Sequence, residues 1–333
     1  MSPVEPRGPA AAPARPGLSI CAWPPETLPM KLLVLGSAAG GGFPQWNCHC
    51  DNCRGVRAGA PGLRARTQSS VAVGGPHDWV LVNASPDVLT QLQRAPALNP
   101  GRALRDSGIA GVVLVDGQVD HTTGLYMLRE GQRPLPLWCT DPVFEDLTQG
   151  NPILGVLAHF CGVGRHRIPL DGSSFEVAGV PGLKITALAL QSKAAPYSPH
   201  REQPVPGDNV GLLFENTASG GRLFYAPGLG AIDAPVWELM NSADVVMVDG
   251  TFWTDDEMIR LGLSKKTARD IGHLAQSGEG GMIEQLGRLK PGTRRLLIHI
   301  NNTNPILDEG SPQRRELDAA GIEVCHDGIE IEF

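Results

Sequence analysis

The chain has 333 residues, of which 41% are hydrophobic and 19% charged, and its formal net charge is −7. This length and composition are typical of a globular protein of enzyme size, with one large domain or two smaller ones. An acidic chain without a block of lysine and arginine lacks the positive surface that nucleic acids and anionic membranes attract, so both are excluded as partners. No apolar run approaches the roughly 20 residues that span a bilayer, which excludes an integral membrane transporter.

The first 29 residues are rich in proline and alanine and contain no apolar stretch of the kind found in a secretory signal peptide. We predict a disordered tail over residues 1–29. Met30 opens an apolar run that is typical of a buried strand, so a single folded domain is predicted over residues 30–333. The lack of a secretory signal predicts a cytoplasmic protein.

Removal of residues 1–29 is expected to change the melting temperature by less than about 2 °C, because the predicted tail contributes no core residue. Thermal unfolding of the full and the truncated chain, followed side by side by circular dichroism, measures the difference. A fall of many degrees would show that these residues are part of the folded domain.

Hydrophobic periodicity and turn residues predict the elements in chain order. The predicted strands cover residues 31–35, 69–73, 79–82, 111–115, 135–139, 167–169, 175–177, 183–190, 210–215, 223–225, 245–249, 295–300 and 329–333. The predicted helices run from a cap at 85–87 to about 94, and over 122–129, 141–147, 234–241, 280–289 and 312–319. Two groups of strands with interspersed helices favour an α/β fold in which two mixed sheets pack face to face with helices outside.

Three of the seven cysteines, Cys48, Cys50 and Cys53, lie within six positions of one another. An odd number of cysteines in a reducing cytoplasm does not favour a disulfide framework. Three thiolates in one loop can converge on a tetrahedral Zn²⁺, and we predict a closed, structural zinc site because they would fill three of its four positions. His326 and Asn302 are candidates for the fourth ligand, and the histidine is chemically the better one. The alternative is a set of free thiols, which would be prone to oxidation at this spacing.

The second candidate site is the segment DGQVDHTTG at 116–124, which follows the predicted strand over 111–115. Asp120 and His121 can point at one ion there, because a turn after the strand frees them from the alternation of strand side chains. An Asp-His pair can also cap a helix, so the pattern alone leaves both interpretations open. The glycine run at 40–42 lacks the Lys and Ser/Thr of a phosphate-binding loop, so no nucleotide site is predicted.

A long loop rich in proline over residues 193–208 is typical of a lid or a substrate contact.

Six sequence blocks carry a resemblance to a known superfamily. They read GSAAGGGFPQWNC at 36–48, DHTTGL at 120–125, YAPGL at 225–229, DGTFW at 249–253, GH at 272–273 and HINNTNP at 299–305. The segment at 116–124 is similar to the signature His-x-His-x-Asp-His-x-x-Gly of the metallo-β-lactamase superfamily. Together the blocks resemble the branch of that superfamily that acts in the biosynthesis of pyrroloquinoline quinone (PQQ). The resemblance implies an αββα sandwich over the whole predicted domain.

The sequence departs from the superfamily pattern at one of its two metal sites. Hydrolases of the superfamily typically hold two metal ions, but Asp116 and Gln118 stand here in the places of the two leading histidines. The strand over 183–190 is not followed by the expected histidine, and residues 225–228 lack the bridging aspartate. The resemblance therefore implies that the first site is lost. The second site retains Asp120, His121 and His273.

Two imidazoles and one carboxylate with open positions form the ligand set with which non-haem Fe(II) oxygenases bind O₂. We therefore predict an open Fe²⁺ site held by Asp120, His121 and His273, in a catalytic group that also includes His299. Relatives place a further histidine near the metal at this position, so His299 is predicted to ligate iron or transfer protons. A buried structural histidine is the alternative interpretation.

Asp116 and Asp249 are candidates to orient a histidine ligand by accepting its hydrogen bond, or are strand-end carboxylates bonded to the backbone. The other histidines are predicted to be structural or on the surface, with His200 in the long loop as the strongest exception: His77, His159, His166, His200 and His326.

The resemblance implies a role in PQQ biosynthesis, with iron- and O₂-dependent hydroxylation of the tyrosine ring in a precursor made from a cross-linked glutamate and tyrosine. The precursor, O₂ and other proteins of the pathway are the implied partners. Two other classes of protein remain open. A carrier of PQQ or its precursor toward the periplasm would bind without turnover, and a metal-dependent hydrolase would work without O₂ on Zn²⁺ or Mn²⁺. The oligomeric state also stays open, with a homodimer among the options.

Overall fold

The computed structural model of the protein describes residues 29–76 and 78–333, so the predicted tail, Cys21 and His77 lie outside the described residues. The described residues form fourteen strands: β1 Lys31–Gly36, β2 Ser70–Gly74, β3 Trp79–Val82, β4 Ile109–Val113, β5 Leu135–Cys139, β6 Val163–Arg167, β7 Ser174–Phe175, β8 Leu183–Ala189, β9 Val210–Asn216, β10 Arg222–Ala226, β11 Val245–Asp249, β12 Arg294–Ile298, β13 Ile322–Val324 and β14 Glu330–Glu332.

The strands form two sheets of seven, with the spatial orders β14-β1-β2-β3-β4-β5-β6 and β13-β12-β11-β10-β9-β8-β7. Each sheet is mixed. In the first, β1, β2 and β3 pair antiparallel and β3 to β6 pair parallel. In the second, β7 to β10 pair antiparallel and β10 to β13 pair parallel. The predicted pair of packed mixed sheets is confirmed.

Nine α-helices lie between the strands along the described part of the chain. They are α1 Asp51–Arg57, α2 Val88–Arg94, α3 Val119–Thr122, α4 Asp141–Glu145, α5 Ile153–Leu157, α6 Ala234–Ser242, α7 Glu257–Arg260, α8 Met282–Gly287 and α9 Pro312–Ala319. No helix in the described part of the chain is long and apolar enough to cross a bilayer.

Three apolar layers hold the sheets and helices together. The central layer fills the space between the sheets and includes Leu32, Val71, Val80, Leu212, Phe214, Tyr225, Met247 and Leu296. A second layer joins the first sheet to α2, α4 and α5, and a third joins the second sheet to α6, α8 and α9. Central strands buried on both faces explain the continuous apolar runs from which they were predicted.

Several predicted elements differ from the structure, and β13, α5 and α7 were not predicted. The strand predicted over 167–169 is β6, which lies earlier in the chain. The helix predicted over 122–129 is the single turn α3 followed by a 3₁₀ segment, Thr123–Leu128. Thr122 and Thr123 donate their hydroxyls to the carbonyls of Gln118 and Val119, and such bonds distort a helix. The cysteine loop is partly helical, because Cys53 lies in α1.

Asp146 is an unpaired acid within the fold. It opens a π-helical segment, Asp146–Gly150, directly after α4. Its side chain is fully buried, and neither carboxylate oxygen has a hydrogen-bond partner. Burial raises the pKa of Asp146 to about 6, and the nearby carboxylate of Asp208 acts in the same direction.

Asp146→Asn is expected to raise the free energy of unfolding at pH 7.5 by about 1 kcal/mol, because it removes a buried charge without a partner. The pKa of this carboxyl is higher in the folded protein than the unfolded value of about 3.9. Its protonation therefore favours the folded state fully below about pH 4, and this contribution is lost as the pH rises through about 6. Urea unfolding of both proteins at pH 5, 6 and 7.5 should show an advantage of the variant that grows with pH. A variant that is less stable by the same amount at every pH would contradict this account of Asp146.

Candidate metal centres

The three clustered cysteines meet at the start of α1. Their Sγ atoms lie within 4.8 Å of one another, and Cys53 is fully buried. Burial raises the pKa of the Cys50 thiol to about 12, so this thiol needs a bound cation to become a thiolate ligand. The group fits a four-coordinate soft cation such as Zn²⁺.

Asn302 lies against the three thiols. Its amide nitrogen lies 3.1, 3.7 and 3.3 Å from the Sγ atoms of Cys48, Cys50 and Cys53. Turning the amide over would present its oxygen to the same point. The other candidate, His326, is exposed, and its Nδ1 lies 3.0 Å from the carbonyl oxygen of Asp327. Histidine is the better ligand by chemistry, but Asn302 is the one that reaches the thiols.

Asn302→Ala is expected to weaken zinc binding by at least about tenfold, because it removes the polar group that faces the three thiols. Competition with a chromogenic chelator measures the affinity. His326→Ala is the matched control and should bind zinc as the unmodified protein does. The reverse result, with His326→Ala weakened and Asn302→Ala unchanged, would assign the fourth position to the histidine.

A second group lies at one end of the sandwich, where parallel strands of both sheets end. Asp120 and His121 belong to α3, which follows β4, and His299 directly follows β12. Ligand atoms of these three residues lie within 4.8 Å of one another. His299 Nε2 lies 3.2 Å and His121 Nε2 lies 3.7 Å from Asp120 Oδ2. His121 Nε2 is buried without a hydrogen-bond partner, which fits a nitrogen that binds a cation.

Asp116 orients the ring of His121. His121 Nδ1 lies 2.8 and 2.9 Å from the two carboxylate oxygens of Asp116. Burial opposes protonation of His121, but Asp116 and Asp120 outweigh it and raise its pKa to about 9. The same contact turns Nε2 toward Asp120, which is the arrangement that orients a histidine ligand.

His273 lies beside this group and is held by Asp249, the last residue of β11. His273 Nδ1 lies 2.6 Å from Asp249 Oδ2, and its ring stacks on that of His299 with 5.5 Å between the centroids. Ligand atoms of Asp249, His273 and His299 also lie within 4.8 Å of one another. Among the described residues, His299 therefore belongs to both groups of potential metal ligands, and His273 belongs only to the second. We call the space between these side chains the open site.

Thr251, which sequence reasoning missed, joins the two histidines. Its Oγ1 lies 2.9 Å from His299 Nδ1 and 3.1 Å from His273 Nδ1. This contact leaves His299 Nε2 to face Asp120. His299 has a φ of 59°, a left-handed conformation that is uncommon for a residue other than glycine and is concentrated at functional sites. The position of Thr251 two residues after Asp249 in the DGTFW block was the only signal for it.

Gly40 of the glycine run, for which the sequence offered no role, lies beside Asp120. A Cβ atom at Gly40 would lie 3.2 Å from Asp120 Oδ2. A side chain at Gly40 would therefore press on this carboxylate, which would have to shift by a few tenths of an ångström.

Asp116 and Gln118, which stand in the places of the two leading histidines of the superfamily signature, make other contacts. Asp116 holds His121, and Gln118 Nε2 donates to the carbonyl oxygen of Lys193 at 3.3 Å. His200 lies between Asp208 and Glu145, with its ring nitrogens 3.2 and 3.3 Å from their carboxylate oxygens.

Comparison with known proteins agrees with this fold. The model of the β-lactamase superfamily domain matches residues 78–300, and the chain belongs to this superfamily. A coenzyme PQQ synthesis protein B from Azoarcus sp. (strain BH72) is 64% identical over 301 residues, which cover 90% of this chain and 99% of that protein. Within the superfamily, the chain belongs to the family of coenzyme PQQ synthesis protein B.

Solved structures extend the comparison. The crystal structure of Zn²⁺-bound PqqB from Methylobacterium extorquens is 39% identical and matches with a TM-score of 0.83, covering 91% of this chain and 100% of that one. A diphosphatase from the PhnP family, 20% identical with a TM-score of 0.63, covers 92% of this chain and 98% of its own and shares the fold.

Proposed function

We propose that this protein acts in PQQ biosynthesis and hydroxylates the tyrosine ring of a cross-linked Glu-Tyr precursor, using Fe(II) and O₂ at the open site. Membership of the coenzyme PQQ synthesis protein B family supports the pathway. The ligand chemistry of the open site supports the reaction class.

The observation that carries the proposal is the convergence of Asp120 Oδ2, His121 Nε2 and His299 Nε2 on one point. Two imidazoles and one carboxylate leave coordination positions for O₂ and substrate. The predicted ligand set contained His273 as its third member. The distances favour His299 in that place, with His273 held by Asp249 at the edge of the same space.

Hydroxylation needs an oxidant and two electrons. A ring C–H bond is replaced by C–O, and the balance is ring, O₂, two electrons and two protons to hydroxylated ring and water. O₂ is the oxidant, and a small reductant such as ascorbate supplies the electrons. Bound Fe(II) would supply the O₂ activation that amino-acid side chains lack. The chain's own part is to hold the site, with Asp116 orienting His121 and Thr251 orienting His299.

The zinc part of the proposal concerns the cysteine cluster. The solved relative is bound to Zn²⁺, and three thiols with a facing amide form a closed set that suits a structural ion. We assign Zn²⁺ to Cys48, Cys50 and Cys53, with Asn302 as the fourth ligand.

Metal replacement tests the reaction. Protein prepared without a metal in the open site is loaded anaerobically with Fe²⁺, Zn²⁺ or Mn²⁺ and mixed with the cross-linked precursor, reductant and O₂. O₂ uptake and a product heavier by one oxygen atom are expected with Fe²⁺ alone. Turnover with Zn²⁺ or Mn²⁺ in the absence of O₂ would identify a hydrolase, and tight binding without turnover under every condition would identify a carrier.

A further inference from the structure

Residues 299–304 form one segment that contacts both candidate metal centres. At its start, His299 Nε2 lies 3.2 Å from Asp120 Oδ2 in the open site. Further along, the amide of Asn302 lies against the three thiols of the cysteine cluster. His299 and Asn302 are both buried, and only two residues separate them in the chain. A displacement at the cluster is therefore close enough in the chain to reach the open site.

The backbone between these two residues is bonded at each position. Ile300 donates its N–H to the carbonyl oxygen of Ser37, and its own carbonyl oxygen accepts from the N–H of Ala39, both at 2.9 Å. Asn301 donates its N–H to the carbonyl oxygen of Thr251 at 3.1 Å. A closely packed, bonded backbone transmits a displacement rather than absorbing it.

A second connection runs through Asn304 to Thr251. Asn304 is fully buried, and its Nδ2 donates to the carbonyl oxygens of Gly250 and Thr251 at 2.9 and 3.2 Å. The hydroxyl group of Thr251 contacts the rings of both His299 and His273. Asn304 therefore holds the residue that orients both histidines.

Helix α1 ties this segment to the cysteine cluster. Asn52 Nδ2 donates to the carbonyl oxygens of Asn302 and Asn304. Asn52 directly precedes Cys53, whose side chain is fully buried against the amide of Asn302. The thiols, α1 and residues 299–304 thus form one hydrogen-bonded unit.

The backbone conformation of His299 depends on these supports. Its φ of 59° is left-handed, which is unfavourable for a residue with a Cβ atom and persists only where surrounding contacts hold it. Thr251 supplies one such contact, since its Oγ1 lies 2.9 Å from both Nδ1 and the carbonyl oxygen of His299. We expect a segment released from the cysteine cluster to let His299 relax and turn Nε2 away from Asp120.

We infer that the cysteine cluster positions His299. When the three thiols and Asn302 hold a cation, residues 299–304 are fixed and the open site binds its own cation more tightly. The inference rests on the proposed function for its two metal sites, but not for the hydroxylation. Asn52 and Asn304 are the positioning residues, because they join the two sites without belonging to either ligand set. The effect is reciprocal, since a gain in affinity at one site implies the same factor at the other.

Binding of Mn²⁺ without O₂ measures this effect apart from any turnover. Mn²⁺ prefers oxygen and nitrogen ligands to thiolates, so it reports on the open site. Protein with a full cluster is compared with protein whose zinc a chelator has removed, and the paramagnetic resonance signal of free Mn²⁺ gives the affinity. We expect the zinc-loaded protein to bind Mn²⁺ at least about tenfold more tightly. Asp120→Ala should abolish this binding, which assigns it to the open site.

Two variants test the positioning residues in protein that keeps its zinc. Asn52→Ala and Asn304→Ala leave all the proposed zinc ligands in place, so their zinc content should equal that of the unmodified protein. Each should weaken Mn²⁺ binding by about fivefold, and removal of zinc should then change the Mn²⁺ affinity by less than in the unmodified protein. Asn241→Ala, which removes an exposed asparagine of α6, is the matched control and should behave as the unmodified protein.

The outcomes separate the inference from the function on which it rests. Unchanged Mn²⁺ affinity in both variants, or equal affinity of folded protein with and without zinc, would overturn the inference even if hydroxylation were observed. If removal of zinc unfolds the protein, the two variants alone decide. Absence of Mn²⁺ binding to the zinc-loaded protein would overturn the ligand set of the open site and the inference together. A zinc-dependent Mn²⁺ affinity that Asn52→Ala reduces, without O₂ uptake in the turnover assay, would uphold the inference and overturn the hydroxylase.

Discussion

Asp120→Ala is expected to remove iron from the open site and to lower substrate-dependent O₂ uptake by at least about 1000-fold. Asp120 Oδ2 is the oxygen that faces both His299 Nε2 and His121 Nε2. Without it, two imidazoles remain to hold a divalent cation, and the carboxylate of the ligand set is lost. Elemental analysis of anaerobically purified protein, with O₂ uptake measured on the same samples, gives both quantities.

Two further variants sharpen this result. Asp120→Asn keeps the shape of the side chain, so a loss of iron in this variant shows that the charge is required. Asp171→Ala removes an exposed aspartate that bonds only to Ser173 and is the matched control. Zinc should stay at the level of the unmodified protein in all three variants, because the cysteine cluster is a separate site. An Asp120→Ala protein that keeps both its iron and its turnover would refute the proposed ligand set.

Cys53→Ser is expected to release the structural zinc and to lower the melting temperature by about 5–10 °C. Cys53 is fully buried in α1, and the amide of Asn302 links it to the segment that follows His299. Asn52 of the same helix donates to the carbonyl oxygens of Asn302 and Asn304 at 3.1 and 2.9 Å. Loss of zinc should therefore loosen α1 and the segment after His299 together.

Zinc content and thermal unfolding of the same preparation measure this effect. The control is Cys161→Ser, a half-buried thiol outside the cluster, which should keep its zinc and its melting temperature. Full zinc content in Cys53→Ser, or a melting temperature equal to that of the control, would contradict a structural zinc at this cluster.

The sheets could be predicted from the sequence because their central strands are buried on both faces, which gives long apolar runs. The strand β6 was misplaced because it is an edge strand whose last three residues are exposed, so it carries no apolar pattern. The short helix α1 was also missed, because its sequence carries little signal for a helix. It has seven residues and no side-chain cap at its start.

The candidate sites were predictable where ligands are close in sequence. Three cysteines in six positions and the adjacent pair Asp120 and His121 needed only local geometry. Which histidine, His299 or His273, is the third member of the ligand set depends on the orientation of the two imidazole rings. Thr251 and Asp249 determine which nitrogens of His299 and His273 face the site, and no spacing encodes that contact. The choice between Asn302 and His326 depends likewise on which segment folds back onto α1.

The origin of the new oxygen atom tests the hydroxylase most directly. The iron-loaded protein, the cross-linked precursor and reductant are exposed for a single turnover to O₂ labelled with the heavy oxygen isotope, in unlabelled water, and the product is weighed by mass spectrometry. Heavy oxygen on the tyrosine ring is the predicted result, and the Asp120→Asn protein should give none. A hydroxylated product without heavy oxygen would contradict an oxygenase, and a product formed equally well without O₂ by addition of one water molecule across a cleaved bond would identify a hydrolytic enzyme.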